Sequence, residues 1–147
     1  MKKLVVLIAV LFALVTLAYG KSLPRGLEEI GIDVPVRLGM RSKDLDKIKG
    51  HVVKSGRFVA ITMGNDYQLS IKLDPNETRV CEIVIQLKKD QFGAVVRKAR
   101  ELYREGNQYE SEKLDGRATH VWKDKKTRLG LFRNKGGYRL ELSALTE

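Results

Sequence analysis

The chain has 147 residues, with 28 Lys or Arg against 18 Asp or Glu and a formal net charge of +10. That length supports one domain with a real core. A single cysteine, Cys81, excludes an intramolecular disulfide, and two widely spaced histidines lack the clustering of a zinc site.

Lys2 and Lys3 precede an uncharged apolar run from Leu4 to Ala18, and Ala18 and Gly20 place small residues before Lys21. This is the order of a secretory signal peptide over residues 1–20, with cleavage expected after Gly20. The run falls short of the roughly 20 apolar residues of a membrane span, so it would act as an anchor only if left uncleaved. No cysteine stands near its end to carry a lipid. Residues 21–147 then form a single α+β domain with 26 basic and 18 acidic side chains, a net +8. The excess is lopsided: residues 113–139 hold nine Lys or Arg and two Asp. The expected location is periplasmic or secreted.

Residues 21–38 read as a lead-in punctuated by Pro24, Gly26, Gly31 and Pro35, with a helical turn at "LEEIGI". Val34, Val36 and Leu38 alternate as a short strand, which Pro35 restricts to an edge or a strand start. "VRLGMRSKDLDKIKG" (36–50) predicts a turn at Gly39 and a short helix. Ser42 is its expected N-cap, Asp44 complements the positive end of the dipole, and Gly50 stops it. Every residue here has a capping or packing role, so the stretch reads as a connector.

Three strands follow at 57–62, 67–73 and 79–87. Gly64-Asn65-Asp66 marks a hairpin. Tyr67, Leu69, Ile71 and Leu73 alternate with polar residues, as do Cys81, Ile83, Ile85 and Leu87. The period then changes. Phe92, Val95, Val96, Ala99, Leu102 and Tyr103 recur at three and four residues, an amphipathic helix capped by Asp90 and ended by Gly106. A second set of strands is expected at 118–123, 128–133 and 138–144, with "DKKT" and "NKGG" as turns. Either Trp122, Leu129 and Leu131 face the core, leaving Phe132 exposed, or Val121 and Phe132 are core as well. The plan is an antiparallel sheet backed by helices, in the order helix-βββ-helix-βββ.

Leu38, Gly39, Met40, Ser42, Leu45 and Gly50 resemble the apolar-Gly-Met-Ser signature of small envelope proteins of the SmpA/BamE type, whose fold is related to that of β-lactamase inhibitor protein. The run from Trp122 to Leu142 also looks like the sheet of that group. The resemblance implies a helical segment packed on an antiparallel sheet, and no catalysis.

Cys81 is the only thiol and His51 and His120 the only imidazoles. Cys81 stands mid-strand among isoleucines, where cysteine behaves as a small hydrophobe rather than a nucleophile. Asp44 and Asp46 lack the glycine and distal glutamate of a calcium loop, and no phosphate loop opens a helix. The expectation is a non-enzyme without cofactor or metal. The functional lead is basic: Lys123, Lys125, Lys126, Arg128, Arg133, Lys135 and Arg139 lie on two hairpins, interleaved with Trp122, Phe132 and Tyr138. Such a set can grip anions and stack on rings, or serve only as a solvated surface. These residues, with Phe132, are the candidate binding site. The partner expected is a protein or an anionic envelope component, not nucleic acid, since export removes the chain from it. The reading is an exported, non-enzymatic binding protein of the bacterial cell envelope that docks an acidic partner. The alternative is a small inhibitor that inserts "DKKT" or "GND" into a secreted hydrolase.

Overall fold

The computed structural model describes residues 22–103, 110–114 and 117–145. The proposed signal segment and the expected helix stop at Gly106 lie outside these residues. Two short 3-10 turns, Leu27–Ile30 and Ser42–Lys47, open the described chain. Strands β1 (His51–Ser55), β2 (Phe58–Met63), β3 (Tyr67–Leu73) and β4 (Val80–Leu87) follow. Helix α1 (Lys89–Tyr103) leads into β5 (Glu110–Leu114), β6 (Arg117–Lys123), β7 (Thr127–Asn134) and β8 (Gly137–Ala144). All eight strands form one sheet in the order β1-β2-β3-β4-β8-β7-β6-β5. Every pairing is antiparallel, so the sheet is two meanders joined where β4 meets β8.

The register aligns apolar side chains into two rows on one face. Val59, Ile71, Ile83, Leu142, Leu129 and Trp122 are successive cross-strand partners, and all are buried. Ile61, Leu69, Ile85, Leu140 and Leu131 form the second row, which ends at half-buried His120. Two layers cover these rows. Helix α1 contributes Phe92, Val95, Val96, Ala99 and Tyr103, the stripe its period predicts. The lead-in contributes Leu23, Leu27, Ile30, Ile32, Val34, Val36 and Leu38.

The α+β expectation is overturned. Among the described residues there is one α-helix, and the protein is nearly all β. The order helix-βββ-helix-βββ fails at three places. "SKDLDK" winds as a 3-10 turn with no side-chain N-cap; Asp44 pairs instead with Arg41 Nε (2.9 Å) and Lys47 Nζ (2.9 Å). The apolar content of that segment is too small to hold more than this: only Leu45 within it is buried. Each meander also has four strands, not three. β1 was hidden because it is an edge strand whose residues are mostly exposed, so it shows no alternation. β5, "ESEKL", has a single apolar residue.

The lead-in does alternate, with Ile32, Val34, Val36 and Leu38 buried and Asp33, Pro35 and Arg37 exposed. It does not join the sheet. Val34 and Val36 donate N–H bonds to the carbonyls two residues back (2.8 Å each), and the segment serves as a lid rather than a strand. Cys81 also departs from its expected face. Lys72 pairs with Glu82 but Leu73 with Val80, so Cys81 is the extra residue of a β-bulge. Val80 turns inward in its place, and Cys81 is half-buried.

No described helix is long and apolar enough to cross a membrane. The β3–β4 turn is held by Asp74, which accepts from the N–H groups of Thr78 (2.7 Å) and Arg79 (3.1 Å) and from Thr78 Oγ1 (3.0 Å). These bonds, the Thr78 N–H foremost, hold its carboxyl below its ordinary value of 3.8. A depressed carboxylate stabilises the fold above its unfolded-state value and loses that contribution as pH falls through the lower folded value. Asp74→Asn should therefore lower stability near neutral pH and make the acid limb of a stability-versus-pH curve shallower below about pH 4, as read by urea unfolding at stepped pH.

Candidate functional site

The inner face of the sheet is filled by α1 and the lead-in, and no described element covers the outer face. Its middle row runs Val53, Ala60, Ser70, Val84, Glu141, Gly130, Val121, all successive partners. Small and half-exposed side chains dominate this row, and it stays low. Val53 and Phe58 are the large apolar residues left open near its β1–β2 end, with 50% and 62% of their surfaces exposed.

At the β7–β8 end a charged group stands on this face. The Phe132 ring lies back over Gly130, where a Cβ would come within 2.5 Å of the ring's Cε2. Only glycine leaves that space. The guanidinium groups of Arg139 and Arg128 stand 5.2 and 5.8 Å from the Phe132 centroid. Glu141 bridges them: its carboxylate lies 3.0 Å from Arg139 Nε and 3.6 Å from Arg128 Nη1. The shorter contact is an ion pair without hydrogen-bond alignment. Each cation–π contact at a partly exposed site contributes about 0.5–1 kcal/mol, so the group is modestly stabilised and held in shape before any ligand arrives. The two readings of the second sheet half are thereby resolved. Trp122, Leu129 and Leu131 face the core, and Phe132 belongs to the opposite face.

Lys123 pairs across the strands with Arg128 and continues the same face. Lys125 and Lys126 follow in an exposed turn. Asp124 braces that turn. Its Oδ1 accepts from the N–H groups of Thr127 (2.7 Å) and Lys126 (2.8 Å), and its Oδ2 from the N–H of Leu23 (3.0 Å), 101 positions upstream in the chain. Lys126 O accepts in turn from Leu145 N–H (2.8 Å).

Six of the eight sequence candidates thus belong together: Lys123, Lys125, Lys126, Arg128, Phe132 and Arg139. Arg133 and Lys135 do not. Lys135 stands in the turn at the other end of β7 from Lys125 and Lys126, roughly 25–30 Å away at about 3.4 Å per residue, and Arg133, although next to Phe132 in the strand, alternates to the other face. That is the helix side, where its guanidinium lies 5.9 Å from the Tyr138 ring, which packs on Phe92 at 4.9 Å. The two hairpins are adjacent in sequence, yet successive turns of a meander lie at opposite ends of the sheet.

The topology also separates Cys81 from both imidazoles. Three strand spacings, about 14 Å, lie between β4 and β1 with His51, and between β4 and β6 with His120. His120 instead stacks near Trp122, with ring centroids 6.2 Å apart. Burial, and then the positive charge of Arg100, depress its pKa below 6.5. Among the described residues no three His, Cys, Asp or Glu side chains gather as metal ligands. Phe58 was missed as an exposed aromatic, although the inward phase of Val59 and Ile61 already pointed it outward.

No protein-family model matches the chain, and no match emerges among curated proteins or solved structures.

The seating of Phe132 over Gly130 has a measurable consequence. Gly130→Ala should push the half-exposed Phe132 ring aside and cost about 0.5–1 kcal/mol for each cation–π contact that the ring then loses. In a Phe132→Ala background the same change should be close to neutral, because the ring that occupies the space is gone. Chemical denaturation of the two single variants and the double variant measures this coupling.

Proposed function

We propose that this chain is an exported, non-enzymatic binding protein of the bacterial cell envelope, and that it docks an acidic partner on the open face of its sheet. The observation that carries the reading is the preformed Arg128–Phe132–Arg139 group on an uncovered face, continued by Lys123 and the exposed Lys125 and Lys126. Arginine forks and an aromatic ring held in place suit carboxylate-rich surfaces, since less side-chain freedom is lost on binding. The export half of the reading rests on Lys2, Lys3 and the apolar run that follows.

A second reading has one specific observation behind it. The β6–β7 turn is braced by five hydrogen bonds in all, counting the one from Asp124 N–H to Thr127 O (2.9 Å), while both of its lysines stay exposed. A rigid hairpin tip of that kind suits insertion into the acidic cleft of a secreted hydrolase. Full activity of β-lactamases and cell-wall hydrolases at stoichiometric protein would remove this reading.

The main reading is tested by crosslinking in intact cell envelope, with a charge-reversed K125E/K126E/R128E variant alongside. The wild type should capture an acidic partner that the variant loses. The isolated pair should bind more weakly as salt shortens the screening length from about 30 Å at 10 mM to about 8 Å at physiological ionic strength. Equal capture by the variant, or affinity indifferent to salt, would overturn it.

A further inference from the structure

The turn at Gly39 gathers charge that no single stretch of sequence displays. Gly39 adopts a left-handed φ of 82°, and the turn is pinned to β4 by bonds from Gly39 N–H to Val80 O (2.7 Å) and from Val80 N–H to Met40 O (2.9 Å). Two guanidinium groups reach its successive carbonyls from distant positions. Arg25 Nη2 donates to Leu38 O at 3.5 Å, and Arg79 Nη1 to Gly39 O at 2.9 Å. A Cβ at Gly39 would stand 3.3 Å from Arg25 Nη2. With standard bond lengths these contacts place the two nitrogens within roughly 10 Å of each other.

The carboxylates nearby are committed elsewhere. Glu29 accepts from the backbone N–H groups of Arg25 and Gly26, and Glu28 pairs with Arg37. Asp44 pairs with Arg41 and Lys47, and Asp74 holds the backbone of Thr78 and Arg79. Neither Arg25 nor Arg79 makes an ion pair among the described residues; each donates only to a backbone carbonyl. A guanidinium has five N–H donors, so most of both forks remains available on exposed side chains.

We propose that Arg25 and Arg79, on the Gly39 turn, form a binding site for a phosphate group. The geometry favours phosphate over carboxylate. One guanidinium fork satisfies both oxygens of a planar carboxylate, whereas two forks arriving from different segments match the several oxygens of a tetrahedral anion. The site uses none of the Arg128–Phe132–Arg139 group, so it is independent of the open-face reading. It does lie at the same end of the sheet as the β6–β7 turn, because the Leu23 N–H bond to Asp124 brings Arg25 there.

The test is a titration of the protein with inorganic phosphate at low, matched ionic strength, with acetate as comparator, following the Arg25 and Arg79 Nε–Hε resonances by NMR. Phosphate should shift both and acetate neither to the same extent. R25Q/R79Q should bind phosphate about tenfold more weakly or worse, as expected for losing charged hydrogen bonds. R25K/R79K keeps the charge without the fork, and covers the case in which the glutamine pair does not fold; it should also bind several-fold more weakly. K125E/K126E, compared at about 0.15 M ionic strength where the screening length is about 8 Å, should weaken binding less than R25Q/R79Q does, since those lysines act only at a distance and not by direct hydrogen bonds. Sedimentation with phosphatidylglycerol vesicles then separates the sources. Vesicle binding lost in R25Q/R79Q identifies a lipid headgroup, and phosphate binding without it identifies free phosphate. Equal phosphate affinity in wild type and the arginine variants, or equal shifts with acetate, would overturn the site whatever becomes of the open-face partner.

Discussion

One constraint organises this molecule: two apolar rows crossing the sheet must be kept from water, and a single helix is too narrow to cover them. A fully buried Leu, Ile or Trp in such a row contributes on the order of 1.5–3 kcal/mol relative to exposure. Helix α1 supplies one part of the cover, and the extended lead-in, with Leu27, Val34, Val36 and Leu38 turned inward, supplies another. Because both layers lie on the same side, no described element covers the other face. The architecture of the core therefore leaves the surface at which we place the partner.

The same arrangement makes the molecule's ends depend on one another. The lead-in is fastened to the last meander by the Leu23–Asp124 bond and to β4 by the Gly39–Val80 bond. Asp124 cannot then serve as an acidic site residue, since both its oxygens are used in holding the turn that carries Lys125 and Lys126. Fastening also collects cations. Arg25, Arg79, Lys125 and Lys126 come from three parts of the chain and are brought to one end of the sheet, where their fields add.

Most strands were legible because burial on one face imposes a period of two. Leu69, Ile71 and Leu73 announce β3, and Leu140 and Leu142 announce β8. Helix α1 was legible for the corresponding reason at a period near 3.6. β1 and β5 were not, because edge strands have little to bury, and "ESEKL" alternates nothing apolar. The Cys81 bulge was invisible for a different reason: one extra residue reverses the phase of a strand without altering its composition. The 3-10 turn at Ser42–Lys47 carries good helix-end residues, yet it has too few apolar contacts to extend them into a helix.

The candidate site divides along the same line. Local sequence determined which residues are basic, which strands alternate and where the turns fall, since these follow from side-chain type and short-range backbone preference. It determined that Cys81 has no histidine near it in sequence, but not how far apart the strands would carry them. Only the tertiary structure decided that Arg133 and Lys135 part from the other candidates, that Phe132 rests on Gly130, and that Arg25 and Arg79 reach adjacent carbonyls of one turn. Those outcomes depend on strand order and register, which are set by how distant apolar rows pack together and leave no mark on any one segment.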